Sequence, residues 1–126
     1  MRTVLLVDDD RGFRRLLQAI LEKRGYRVLQ AGRGAEADAI VASETPDLVV
    51  LDGLLPDTTG VDWLARLRGT GAAWPVLFVT SFWKSLREFN LVTKTLGAVD
   101  LLRKPIEPAA VVARLEKALS PGTAPA

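Results

Sequence analysis

The stretch Leu48-Val49-Val50-Leu51-Asp52 sets four aliphatic residues in a row and stops them on a carboxylate. No polar residue interrupts the run, so neither side of it is written for water. That is the pattern of a strand in a parallel sheet covered by helices on both faces. In such sheets ligands collect beyond the carboxyl ends of the strands, where the chain leaves for a loop. Asp52 stands at that point. An Asp after a strand also serves as an ordinary turn or cap residue, so its meaning depends on what the other strands bring beside it.

Outward from this run the pattern repeats. Residues 4–7 form an apolar stretch that ends on Asp8-Asp9-Asp10, and residues 27–31 a weaker one. Pro75 opens a third, 76–79, which ends on Thr80-Ser81; residues 98–102 lead into Arg103-Lys104-Pro105. Helical spacing fills the intervals. Phe13, Leu16, Leu17, Ile20 and Leu21 form one stripe, closed by Gly25. Gly32 and Gly34 turn the chain into an Ala-rich helix with Ala37, Ile40 and Val41 inward, broken at Thr45-Pro46 because proline removes a donor and restricts the residue before it. Val61, Leu64 and Leu67 mark a third helix, and Val112, Leu115 and Leu119 a last one over 107–119. The segment 84–96 carries Asn90, Thr93 and Thr95 and predicts a short or irregular helix, stopped by Gly97.

Strands alternating with helices define a doubly wound α/β domain. Right-handed crossovers with a reversal after the first strand predict a five-stranded parallel sheet of order 2-1-3-4-5, with the site at the switch between strands one and three. The domain is expected to occupy residues 1–119. Residues 120–126, rich in Pro, Ala and Gly, are expected to be a flexible tail or the start of a linker.

Composition narrows the chemistry. A chain of 126 residues with 48% hydrophobic and 25% charged content can bury a core and is not disordered. The net charge is only +2 and its basic residues, among them Arg24, Arg27, Arg33, Arg66, Arg103 and Arg114, are scattered, which argues against direct nucleic-acid binding. With no Cys and no His there are no disulfides, no thiolate or imidazole metal ligands and no Ser-His or Cys-His nucleophile. Carboxylate, hydroxyl and amine chemistry remains, with a hard cation such as Mg²⁺ as the natural metal. No apolar run approaches a membrane span or a signal peptide, and a cytoplasmic location is the default.

The strand ends then converge. Asp8 and Asp9 follow strand one, Asp52 ends strand three, Thr80 strand four and Lys104 strand five. In the order 2-1-3-4-5 they share one rim. Carboxylates packed together repel unless a cation is shared among them, and all-oxygen ligation suits Mg²⁺. An amine and a hydroxyl on the same rim supply the counter-charge and donor that a phosphoryl group needs. Each residue has a plainer reading: a helix cap for Asp8 to Asp10, a strand-end threonine for Thr80, a solvated lysine for Lys104. Their joint placement favours the functional one.

With these motifs on one rim, the sequence resembles the receiver domain of two-component response regulators over residues 2–119. The resemblance is carried by Asp8-Asp9, by Asp52 with Pro56 and Gly60 behind it, by Thr80-Ser81 and by Lys104-Pro105, with Gly25-Tyr26 and Gly97-Ala98 at familiar spacings. It implies a flavodoxin-like (βα)5 fold in which Asp52 is a phosphoacceptor for a histidine kinase or phosphotransfer partner. It implies that Asp9 binds Mg²⁺ directly and Asp8 mainly through water, with Asp52 and the backbone carbonyl of Leu54 completing the ligands. Thr80 and Lys104 would meet the phosphoryl oxygens, the Lys104-Pro105 bond would be cis, and the mechanism would be in-line displacement. It further implies a non-enzymatic protein with at most slow self-dephosphorylation. A homodimer or effector-domain contact is expected through the face of the fourth helix, fifth strand and fifth helix.

There are departures. Leu101 holds a position where the family usually has Tyr or Phe, and leucine has neither ring nor hydroxyl to couple to Thr80. Leu54 and Phe82 hold the two positions that govern the attacking water; both are apolar, which predicts slow loss of phosphate. Trp83 is the tryptophan expected to sense the site. Two rival readings stay open: a degenerate receiver that binds partners without phosphorylation, and a small phosphatase of the haloacid-dehalogenase type, whose nucleophile motif Asp8-x-Asp10 mimics but Gly12 breaks.

Overall fold

The computed structural model describes residues 1–81 and 86–120, without the side chain of Leu86. The apolar runs become β1 (Thr3–Val7), β2 (Arg27–Ala31), β3 (Leu48–Asp52), β4 (Val76–Thr80) and β5 (Asp100–Arg103). Between and after them lie α1 (Arg11–Lys23), α2 (Gly34–Ser43), α3 (Gly60–Gly69), α4 (Leu86–Asn90) and α5 (Pro108–Leu119). All pairings are parallel and the order is β2-β1-β3-β4-β5, as expected.

Strand alternation sorts the core onto two sides. Val4, Leu6, Leu48, Val50, Leu77 and Val79 pack against Phe13, Leu17 and Leu21 of α1 and Val111, Val112 and Leu115 of α5. Their neighbours Leu5, Val7, Val49, Leu51, Val76 and Phe78 pack against Ala37 of α2 and against Trp63, Leu64 and Leu67 of α3. This is why β1, β3 and β4, buried along their whole length, carry apolar runs, whereas the outer strands β2 and β5 include polar residues.

Three details depart from expectation. Leu16 belongs to the apolar stripe of α1 by spacing but is 57% exposed, because the contact centres on Phe13, Leu17 and Leu21, with Ile20 at its edge. Strand five begins later than predicted, at Asp100, since Val99 faces solvent by about half. Trp63, unassigned from sequence, is among the largest fully buried side chains; its indole Nε1 donates to Asp38 Oδ1 at 2.8 Å, so the one polar atom is satisfied. The irregularity expected in 84–96 is present: α4 runs directly into a π-helical segment, Leu91–Thr95, and Gly97 ends it at φ +70°. Residues 121–126 of the expected tail lie outside the described residues.

Candidate functional site

Strand register sets the site's geometry before any side chain is considered. Val7 is aligned with Leu51, so Asp8 and Asp52, each the next residue, lie level on adjacent strands. Asp52 is aligned with Val79, and Thr80 with Arg103, so Thr80 and Lys104 follow in steps along the same rim. Asp8 and Asp52 are 3% and 6% exposed and Thr80 is fully buried, whereas Asp9 is open to solvent.

The acids meet. One carboxylate oxygen from each of Asp8, Asp9 and Asp52 lies within 4.8 Å of the others. Lys104 Nζ donates to Asp8 Oδ2 at 2.7 Å and stands 3.8 Å from Asp52 Oδ2. The ammonium also lies over the Phe13 ring, 4.6 Å from its centroid, an arrangement that helps hold a cation with little water around it. The Lys104-Pro105 peptide is cis.

Burial and the neighbouring Asp8 charge push the Asp52 carboxyl up from 3.8 to about 6; Lys104 and the Leu54 and Gly53 backbone N–H groups pull the other way without winning. Removing this carboxylate from water beside a second one outweighs the single amine that faces both. An oxygen-only donor set with two buried acids and one exposed one fits a hard divalent cation with room for water ligands, so the residues present suit Mg²⁺.

The frame around the acids is well tied. Asp8 Oδ1 accepts from Asp10 N at 2.9 Å, and Asp8 N donates to Ala31 O at 3.0 Å. Arg14 of α1 donates through Nη1 to the Asp8 carbonyl and through Nε to Gln30 Oε1. Asp10 takes the plainer role, capping α1 by accepting from Phe13 N at 3.0 Å.

Two glycines permit close approach. A Cβ on Gly60 would stand 2.2 Å from the Asp52 carbonyl oxygen, and one on Gly53 would stand 2.5 Å from Thr80 Oγ1. The buried Thr80 side chain thus rests over Gly53. Leu101 is partly buried against the α2/α3 side of the core. Leu54 is 60% exposed beside the site. Phe82 and Trp83 lie outside the described residues. Phe13 and Arg14 were not singled out as site residues from sequence; their position on the first turn after Asp10 was the available signal.

A parallel doubly wound sheet with an acidic trio and a lysine gathered at its switch point places the protein in the class of α/β domains whose sites lie beyond the carboxyl ends of their strands. The comparison with known families makes the class specific. The response regulator receiver domain model matches residues 4–116, and the chain belongs to that family. The chain is 32% identical over 120 residues to the phosphate regulon transcriptional regulatory protein PhoB of Pseudomonas aeruginosa, covering 94% of this chain and 52% of that protein. It is 35% identical over 106 residues to sporulation initiation phosphotransferase F of Bacillus subtilis, covering 82% of each. Among solved structures, the non-phosphorylated HemR receiver domain of Leptospira biflexa matches with a TM-score of 0.85 and 33% identity over 95% of both chains. The chain thus spans about half the length of several of its curated relatives. No helix among the described residues is long and apolar enough to cross a membrane.

Proposed function

We propose that residues 1–119 act as a cytoplasmic phosphoacceptor receiver in which Asp52 takes a phosphoryl group from a histidine kinase or phosphotransfer protein. The observation that carries this is the meeting of Asp8, Asp9 and Asp52 within 4.8 Å, with Lys104 against two of them. In this reading Asp9 and Asp52, the Leu54 carbonyl and, through water, Asp8 hold Mg²⁺, which when bound neutralises charge on the transferring phosphoryl group.

The chain's own residues then supply position and charge. An Asp52 carboxylate oxygen attacks phosphorus in line, the P–N bond to the donor's histidine breaks, and the electron pair leaves with the imidazole. Lys104 exchanges its contact with Asp8 and Asp52 for the phosphoryl oxygens. The Thr80 hydroxyl, now over Gly53, becomes a donor to another of them. With no histidine of its own the chain needs an external donor. Any catalysis is confined to slow loss of the phosphoryl group, because the exposed Leu54 cannot orient a water by hydrogen bonding. Output passes to an effector domain or a second copy through the face of α4, β5 and α5.

Intact-mass measurement after incubation with acetyl phosphate and Mg²⁺ tests the proposal. A gain of one phosphoryl group in the parent that is lost in Asp52→Asn supports it. No gain with either protein, in the presence of a competent donor, favours instead a receiver that binds partners without phosphorylation, the reading to which Leu101 lends weight.

A further inference from the structure

The loop between β3 and α3 is a closed hairpin. Gly60 N donates to Gly53 O at 2.9 Å, Leu54 bridges Thr59 in antiparallel fashion, and Leu55 N donates to Thr58 O at 3.0 Å. Asp57 sits at its tip and reaches across to another element. Its Oδ1 accepts from Gly34 N at 2.8 Å and its Oδ2 from Ala35 N at 2.9 Å. These are the first two N–H groups of α2, and Arg33 before them makes no side-chain cap. A helix start normally capped by its own preceding residue is here capped by a carboxylate from a distant loop. The fit is close: a Cβ on Gly34 would stand 2.7 Å from Thr58 Cγ2, so the tip and the helix start are in contact without space between them.

We infer that Asp57 is a positioning residue for the acidic site, clamping the hairpin to α2 and so fixing the backbone at Leu54. This rests on the receiver reading above, in which the Leu54 carbonyl is a cation ligand. Leu55 is anchored in the core, but Leu54 gains no anchorage from its own exposed side chain. Its backbone is held by the hairpin ladder, and the ladder by Asp52 and β3 at one end and by the Asp57 clamp at the other. A metal-bearing carbonyl needs such support: loss of groups that orient metal ligands weakens affinity by roughly 10–100-fold.

The test is Mg²⁺ titration by calorimetry on the parent, Asp57→Ala, Asp57→Asn and Glu36→Ala, with amide exchange at Gly60 followed in each. Glu36 is the control, because its Oε1 accepts from Gly32 N at 2.6 Å and supports the start of α2 without touching the hairpin. Asp57→Ala is expected to raise the Mg²⁺ Kd about tenfold and to speed exchange at Gly60. Asp57→Asn keeps one of the two acceptor oxygens and is expected to raise the Kd only about threefold; if the alanine fails to fold, parental Kd and parental Gly60 exchange in this variant overturn the inference. Glu36→Ala is expected to leave both readouts at parental values. Parental Kd and exchange in Asp57→Ala would overturn the inference, as would an equal loss in Glu36→Ala, since either makes Asp57 a helix cap and nothing more. A parent that binds no Mg²⁺ at all would overturn the receiver reading itself, a result distinct from the others.

Discussion

Replacing Asp52 by Asn is expected to make the metal-free protein more stable. Burial and the Asp8 charge raise the Asp52 carboxyl from 3.8 to about 6 in the folded chain. A group whose pKa rises on folding favours the native state while protonated, and that contribution is lost as pH rises through the folded value. Ionised Asp52 therefore opposes folding at pH 7. At about 1.4 kcal/mol per pH unit the rise sets a ceiling of about 3 kcal/mol; the site lies at the solvent rim, and screening there brings the expected effect to about 1–2 kcal/mol. Urea unfolding in EDTA should show Asp52→Asn more stable than the parent by that amount at pH 7, the gap closing between about pH 6 and pH 4. Saturating Mg²⁺ should then stabilise the parent, by about 2.7 kcal/mol at a hundredfold excess over Kd, and the Asn variant much less. If the variant is no more stable in EDTA at pH 7, or the gap ignores pH, burial and the Asp8 charge do not disfavour ionised Asp52 as the geometry requires.

Other perturbations separate the supports of the site. Gly60→Ala puts a Cβ 2.2 Å from the Asp52 carbonyl oxygen, backbone that cannot swing aside, and should cost about 2–3 kcal/mol in urea unfolding. Gly69→Ala on the same helix meets nothing within 4 Å and should stabilise by about 0.5 kcal/mol; the same sign for both variants would contradict the packing described. The Asp57 carboxyl is held below its ordinary value by the Gly34 and Ala35 N–H groups. Its contribution is present above the unfolded pKa near 4 and lost as acid takes the protein through the lower folded value. Asp57→Asn should accordingly be less stable than the parent at pH 7, with the difference shrinking only below about pH 4; a constant difference down to pH 2 would deny the charge a role. Leu54→Asn should shorten the phosphorylated lifetime severalfold in an intact-mass time course, by giving an attacking water a hydrogen-bond partner, and an unchanged decay would remove Leu54 as the cause of slow turnover.

The sheet was legible because its strands are covered on both faces. A run such as Leu48 to Leu51 is too short for a helix of its own, Asp8 and Asp52 follow such runs directly, and Asp9 and Lys104 stand one residue further on. Legibility ended where neighbours rather than pattern decide. Leu16 satisfies the helical spacing that buries Leu17, but spacing does not give the width of the buried stripe, and α1 is fully covered along Phe13, Leu17 and Leu21 and only partly at Ile20. Trp63 lies between polar Asp62 and the apolar Leu64, and only the tertiary fold brings Asp38 to its indole. The clamp from Asp57 to Gly34 joins residues far apart in sequence, each of which reads locally as ordinary turn material.

The same alternation that made the core readable also divides the site. Val79 and Val50 face α1 and α5, whereas Phe78 and Leu51 face α2 and α3. One residue further along, Asp52 takes the parity of Val50 and Thr80 that of Phe78. The charges therefore collect on the α1/α5 side, where Lys104 lies over Phe13, and the threonine hydroxyl on the other, against Gly53. Leu101 shares the threonine's side and packs with the cluster that holds Val92 and Ala98 at the two ends of the segment leading into β5. A phosphoryl group on Asp52 that draws Thr80 toward the acids removes a buried side chain from the α2/α3 side of the sheet. Close packing makes the neighbours there respond, since cores tolerate little empty volume. In the proposed receiver reading that response falls to the apolar packing of this cluster, Phe78 and Leu101 included, with no aromatic hydroxyl at residue 101 to carry it.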